Sequence, residues 1–193
     1  MNLPNKLTVL RIIMTPVFMF LMLFEFPHHY LLALIVFSVA AFTDMLDGKI
    51  ARKYNLVTSF GKFLDPLADK MLTTAAFLGF IAHGIGWQIT WVVFIVLFRE
   101  FLISSLRLIV VSSAGNKVIA ANIWGKMKTV TQIAAIVIGI AFAQVKQWFS
   151  LTAGAVLALD IVFNIVLWTS TVLCIISGII YLMQNKEFVN TTK

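Results

Sequence analysis

Residues 44–52 read D-M-L-D-G-K-I-A-R, and after an interval of eight residues, positions 61–69 read G-K-F-L-D-P-L-A-D. The chain holds eight acidic side chains, and four of them fall in this stretch. The sequence on either side is almost wholly apolar. Because a carboxylate in or beside a bilayer is costly unless cations or water compensate it, this clustering indicates a functional site.

Helical periodicity sorts these four residues, the aspartate cluster, into two pairs. Asp44 and Asp47 lie three apart on one face of a helix, and Asp65 and Asp69 lie four apart on a face of the next. Helices joined by a short loop are usually antiparallel neighbours, so we expect the four carboxylates to converge near one membrane surface. Oxygen donors suit Mg²⁺ or Mn²⁺, and no nearby His or Cys favours zinc.

The spacing D-x2-D-G-x2-A-R-x8-G-x3-D-x3-D resembles the signature of the CDP-alcohol phosphatidyltransferase family. Every fixed position is matched, by Asp44, Asp47, Gly48, Ala51, Arg52, Gly61, Asp65 and Asp69. The resemblance implies transfer of a phosphatidyl group from CDP-diacylglycerol, with CMP as the leaving group. The alternative is that these residues are only solvated charges at helix ends. That alternative does not explain the helical spacing of the carboxylates or the two glycines, because solvated charges need neither.

The resemblance also implies roles for these residues. The expected ligands of two Mg²⁺ or Mn²⁺ ions are Asp44, Asp47, Asp65 and Asp69. Asp69 is further expected to act as general base toward the acceptor hydroxyl. The expected donor-binding residues are Gly48, Arg52 and Gly61. Arg52 would contact the diphosphate, and the glycines remove side chains where a backbone or ligand must come close.

Composition predicts an all-α, polytopic membrane protein: 61% of the residues are hydrophobic and 12% are charged. We expect one domain over residues 1–193, with six transmembrane helices near 7–24, 30–52, 60–82, 87–110, 128–145 and 151–183. Each is close to the roughly 20 residues that cross the hydrocarbon core.

The basic residues predict the orientation. Of the 15 lysines and arginines, 13 fall on the side of the termini, Arg99 lies inside the fourth span, and Lys146 alone lies opposite. The positive-inside rule therefore places both termini and the aspartate cluster at the cytoplasmic face of the cell membrane. We attribute the net charge of +7 to attraction between the basic loops and anionic lipid headgroups. A nucleic-acid partner is not expected, because the basic residues are distributed over several loops.

A second group of residues suits a phosphorylated acceptor. Arg107, Lys126 and Lys128 are expected to bind its phosphate, with the guanidinium of Arg107 contacting two oxygens. The stretches 2–11 and 99–129 resemble one branch of the same family, whose acceptor is glycerol 3-phosphate and whose members are generally homodimers.

The sequence also permits other interpretations. The alternative acceptors are inositol phosphate, serine and the glycerol hydroxyl of another lipid, although the basic group around Arg107 argues against serine. A divalent-cation transporter is an alternative of another class, against which the position of the aspartates at one membrane face counts. Arg99 and Glu100 lie deep enough to need partners, and a structural ion pair with another helix is one interpretation of them. Asp160 is expected to make a structural hydrogen bond. The expected interfacial residues of the outer side are His28, His29 and His83.

Overall fold

The structure, a computed structural model, describes residues 2–54, 59–113 and 123–184, without the side chains at 51–53, 59–60, 62–63, 65–66 and 108–113. All regular structure in these ranges is helical. The six helices are α1 (Leu3–Leu23), α2 (His29–Lys53), α3 (Ser59–Ala82), α4 (Ile89–Ser113), α5 (Ile123–Trp148) and α6 (Ala153–Gln184). The predicted all-α class is confirmed.

Five of the six helices are long and apolar enough to cross a membrane: α1, α2, α4, α5 and α6. The third, α3, has 24 residues, but its first half carries Lys62, Asp65, Asp69 and Lys70. The structure is therefore that of a multi-span membrane protein. The count of six spans and the cytoplasmic termini stay predictions.

Local sequence explains where the helices begin and end. The side chain of Asn2 accepts a hydrogen bond from the Asn5 amide at 3.2 Å, and Pro4 occupies the first turn of α1, where its missing N–H is harmless. At the other end of the bundle, Gly84 and Gly86 form the turn between α3 and α4. Their φ values are 61° and 103°, a backbone conformation that residues other than glycine rarely adopt.

The core lies where the helices cross. α1 packs against α2 and α3, α5 packs against α6 and α2, and α4 packs against α6 and α3. Phe80 and Phe163 meet edge to face, with ring centroids 5.7 Å apart, directly over Gly139. Large apolar side chains such as Ile13 and Phe98 point outward, as expected for helices facing lipid.

Polar contacts stabilise the end of the bundle opposite to Asp44 and Asp47. The Asp160 carboxylate of α6 accepts from Lys146 of α5, so the predicted structural role of Asp160 is an ion pair between these helices. The three histidines predicted to be interfacial, His28, His29 and His83, lie at this end as well. His28 and Trp148 are hydrogen-bonded at 2.7 Å, while the rings of His29 and His83 lie 5.9 Å apart.

Candidate active site

The first half of α1 carries a buried polar stripe. Asn5, Thr8, Arg11 and Thr15 follow one another at spacings of three or four residues, so they share one face of the helix, and all four are buried. The hydroxyl of Thr15 donates to the Arg11 carbonyl at 2.9 Å. Farther along α1, the same face continues with the apolar Phe18 and Met22. Within this stripe, Arg11 contacts the aspartates of α2.

Arg11 joins the two aspartates of α2. Its Nη1 atom contacts Oδ1 of Asp44, and its Nη2 atom donates to Oδ2 of Asp47. Arg11 is 0% exposed and Asp47 is 4% exposed, whereas the Asp44 side chain is 43% exposed. The two carboxylates therefore share one face of α2, as their spacing predicts, and the exposed one can reach a ligand.

Two groups of charges act on Asp69. Its carboxylate is within electrostatic range of Asp44 and Arg11, and also of Glu100 and Lys128. Among the residues that the structure describes, this carboxylate has no hydrogen bond or ion pair. An acid placed in this way can take a proton from a bound hydroxyl group.

The structure describes only some of the other residues predicted from the aspartate signature. The Asp65 and Arg52 side chains lie outside the described residues, so their assigned roles stay predictions. Gly48 follows Asp47 in α2, and Gly61 is buried near the start of α3. The described part of the chain contains no group of three or more His, Cys, Asp or Glu residues placed to hold a metal ion.

A network around Glu100 ties α4 to three other helices. Glu100 Oε1 accepts from Lys128 of α5 and, at 3.1 Å, from Nη1 of Arg99. The Nη2 atom of Arg99 donates to the Ser177 hydroxyl of α6 at 3.0 Å. Of the interpretations of Arg99 and Glu100, the structure shows an ion pair between helices, formed by Glu100 and Lys128, with Arg99 as a second partner of Glu100.

The same network reaches α3 through Lys70. Its Nζ donates to the Ser104 hydroxyl, which in turn donates to the Glu100 carbonyl at 2.6 Å. The charges of Lys70, Arg99 and Lys128 all act on Glu100. Three cations around one carboxylate leave an excess of positive charge, which favours an anionic ligand close to Asp69.

The three predicted acceptor-binding residues are not equivalent in the structure. Lys128 is buried, but Lys126 is exposed, because two residues are about 200° apart around a helix. Arg107 is exposed at the end of the described α4 side chains, and its charge acts on Lys70. Lys128 and Arg107 therefore belong to the region around Lys70, whereas Lys126 faces another direction.

Sequence reasoning missed Arg11 and Lys70 as members of the site. The stripe of Asn5, Thr8, Arg11 and Thr15 in an otherwise apolar helix was a usable signal, since a lipid-facing helix would not keep polar groups at helical spacing. For Lys70 the only signal was its position directly after Asp69.

A sequence profile described as CDP-alcohol phosphatidyltransferase matches residues 1–176. This chain belongs to that family. The resemblance carried by the aspartate signature is confirmed, and the match extends through α5 into α6, well beyond the stretches that carry the resemblance.

Members of the family from several bacteria resemble the chain over most of its length. The CDP-diacylglycerol–glycerol-3-phosphate 3-phosphatidyltransferase of Bacillus subtilis is 36% identical over 207 aligned positions, covering 99% of this chain and 98% of the relative. The Rickettsia bellii protein of the same name is 36% identical, covering 97% of each. A probable phosphatidylglycerophosphate synthase of Mycobacterium tuberculosis is 36% identical, covering 86% of this chain and 77% of the relative.

Proposed function

We propose that this chain transfers a phosphatidyl group from CDP-diacylglycerol to glycerol 3-phosphate, giving phosphatidylglycerophosphate and CMP. The observation that carries the proposal is that the Asp69 carboxylate lies within electrostatic range of both the Asp44–Arg11 pair and the cation-rich region around Glu100. The names of the relatives from Bacillus subtilis and Rickettsia bellii describe the same reaction.

The donor side of the site is the aspartate cluster. Its carboxylate oxygens fit a hard divalent cation. Asp44, whose side chain is half-exposed, offers such an oxygen within electrostatic range of Asp69, whose carboxylate has no partner among the described residues. Asp44, Asp47, Asp65 and Asp69 would hold Mg²⁺ or Mn²⁺, with two ions proposed. Bound there, the ions would neutralise the donor's diphosphate and polarise its phosphorus.

Asp69 is the proposed general base. A hydroxyl oxygen of glycerol 3-phosphate attacks the phosphorus that carries the diacylglycerol, the bond from that phosphorus to the CMP oxygen breaks, and the hydroxyl proton passes to Asp69. Arg52, with Gly48 and Gly61 nearby in sequence, would contact the diphosphate of the donor.

The acceptor phosphate would lie against the basic residues of α3, α4 and α5. Lys128 and Arg107 are the principal candidates, with Lys70 added on the strength of its contact with Ser104. Lys126 would contribute through its charge from the exposed face of α5. This arrangement holds a phosphate dianion while leaving the acceptor hydroxyl directed at Asp69.

The proposal places the protein in the cell membrane as a homodimer, with the active site at the cytoplasmic face. The bilayer supplies the donor, and the soluble acceptor approaches from the cytoplasm. The excess of basic side chains on the side of the termini supports this orientation.

The test is CMP release by the purified protein, supplied with CDP-diacylglycerol, glycerol 3-phosphate and Mg²⁺. Asp44→Asn, Asp47→Asn and Asp65→Asn are each expected to abolish turnover, because the diphosphate charge is no longer neutralised. Asp69→Asn is expected to lose turnover while still binding CDP-diacylglycerol.

The matched control is Asp160→Asn, which removes an acid at the opposite end of the bundle and should leave CMP release intact. Near-normal activity in any one of the three ligand variants removes that residue from the ligand set. If Asp69→Asn loses donor binding in step with turnover, Asp69 acts as a ligand rather than as the base.

A further inference from the structure

Arg11 is the most deeply buried cation among the described residues, and neither the aspartate signature nor the acceptor site accounts for it. It is 0% exposed within an apolar helix, between neighbours such as Leu10 and Ile13 that face outward. A buried arginine in a membrane span is costly unless it is paired, so its position requires an explanation.

The contacts of Arg11 are divided between two acids. One η nitrogen contacts Asp44 and the other contacts Asp47, so the planar guanidinium bridges the two carboxylates instead of forming a fork on one of them. Two carboxylates three residues apart repel each other, and a rigid cation between them fixes both their separation and their direction.

Arg11 is not fully satisfied by these two contacts. Its Nε atom is buried and has no hydrogen-bond partner among the described residues. A side chain kept only for stability is normally satisfied throughout, which favours a role in the site over a purely structural one.

We propose that Arg11 is a positioning residue that presets Asp44 and Asp47 for a divalent cation, an inference that rests on the proposed function. It acts through the two carboxylates and contacts neither the cation nor the donor. Arg11 stays in place when the cation binds, because separating a buried ion pair is strongly unfavourable. The cation then meets carboxylates whose geometry is already fixed.

Two other roles for Arg11 make different predictions about cation affinity. If Arg11 only competes with the cation, its removal takes away a repelling charge and cation binding becomes tighter. If it only neutralises buried charge for folding, its removal lowers stability and leaves the affinity unchanged. A positioning role alone predicts weaker binding, because residues that orient metal ligands contribute about tenfold to a hundredfold in metal affinity.

The experiment measures Mn²⁺ binding to the purified full-length protein by electron paramagnetic resonance, in the absence of CDP-diacylglycerol. The variants are Arg11→Met, Arg11→Lys and the control Arg99→Met, which removes a partly buried arginine that is paired with Glu100 instead of with the aspartates. We expect the Kd for Mn²⁺ to rise about tenfold or more in Arg11→Met. Arg11→Lys should lie between, since an ammonium cannot bridge both acids with fixed geometry.

Arg99→Met should lower the thermal midpoint without changing the Kd for Mn²⁺. An unchanged or lower Kd in Arg11→Met overturns the proposal, as does full recovery in Arg11→Lys, which would show that charge alone matters. If Arg11→Met does not fold, Arg11→Lys decides. If the wild-type protein binds no Mn²⁺, or Asp44→Asn binds it as well as wild type, the metal-dependent function fails and this inference fails with it.

Discussion

Lys128 of α5 donates to the carboxylate of Glu100 in α4, and both side chains are more than four-fifths buried. The same Glu100 oxygen also accepts from Arg99 at 3.1 Å. One acid therefore binds two cations, the buried Lys128 and the partly buried Arg99, and the balance of charge at the proposed acceptor site depends on it.

Replacing Glu100 by Gln is expected to lower the thermal midpoint substantially. Removal of one partner from a buried ion pair costs about 3–5 kcal/mol, because the remaining charge is left uncompensated. Glycerol 3-phosphate should raise the midpoint of this variant more than that of the wild type, since its phosphate replaces the missing negative charge. Differential scanning fluorimetry with and without the acceptor measures both effects.

The control for Glu100 is Asp160→Asn, which breaks the pair with Lys146 at the other end of the bundle. Both of these side chains are about one-third exposed, so the loss of stability should be smaller. Its response to glycerol 3-phosphate should equal that of the wild type. A Glu100→Gln protein as stable as the wild type would show that the network around Glu100 is not formed.

Replacing Arg107 by Ala should raise the KM for glycerol 3-phosphate and leave that for CDP-diacylglycerol nearly unchanged. Loss of one charge-assisted contact to the phosphate corresponds to about tenfold to a hundredfold. Arg107→Lys should recover only part of this, since an ammonium cannot contact two oxygens in one plane. Steady-state kinetics in both substrates distinguishes the two KM values.

Lys126→Ala is the matched comparison, since Lys126 is also an exposed cation but lies on the other side of α5 from Lys128. Its effect on the KM for glycerol 3-phosphate should be clearly smaller. Unchanged acceptor kinetics in Arg107→Ala would remove Arg107 from the acceptor site.

The close approach of α5 to α3 and α6 predicts a cost for any side chain at position 139. A Cβ atom at Gly139 would lie 2.7 Å from ring atoms of both Phe80 and Phe163. Gly139→Ala is therefore expected to destabilise the protein by about 1–3 kcal/mol through overpacking. Gly154→Ala, where an added Cβ would meet no other described part of the fold within 4 Å, should be neutral or slightly stabilising. Equal thermal midpoints for the two variants would contradict this packing.

Single cysteines test the orientation of the chain. In a Cys174→Ala background, which removes the one native thiol, Lys53→Cys and Lys146→Cys should react with an impermeant maleimide from opposite sides of the membrane. The asymmetry of the basic residues predicts that position 53 lies on the cytoplasmic side. Labelling of both positions from the same side would rule out the proposed topology.

The sequence predicts what depends on spacing along one helix, but not what depends on contacts between helices. The three-residue interval from Asp44 to Asp47 is sufficient to place both carboxylates on one face. The bridge from Arg11 and the pairing of Glu100 with Lys128 depend on how α1 packs on α2 and how α4 approaches α5, which no local pattern specifies.

Helix ends were also harder to predict where charge interrupts an apolar run. α5 begins at Ile123, whereas the apolar pattern predicts a start near residue 128. The prediction is too late because Lys126 and Lys128 lie in the first turns of the helix and interrupt the apolar pattern. The helix continues through them, since a lysine on an exposed face costs little and Lys128 finds a partner in Glu100. Such a partner is visible only in the folded chain.

The central claim is tested most directly by identifying the lipid that the purified protein makes from labelled CDP-diacylglycerol when offered single acceptors. The panel comprises glycerol 3-phosphate, inositol phosphate, serine and unphosphorylated glycerol. The account predicts phosphatidylglycerophosphate and an equal amount of CMP with glycerol 3-phosphate, and little product with the others. Formation of a phosphatidylinositol phosphate or phosphatidylserine without phosphatidylglycerophosphate, or no CMP release with any acceptor, would contradict it.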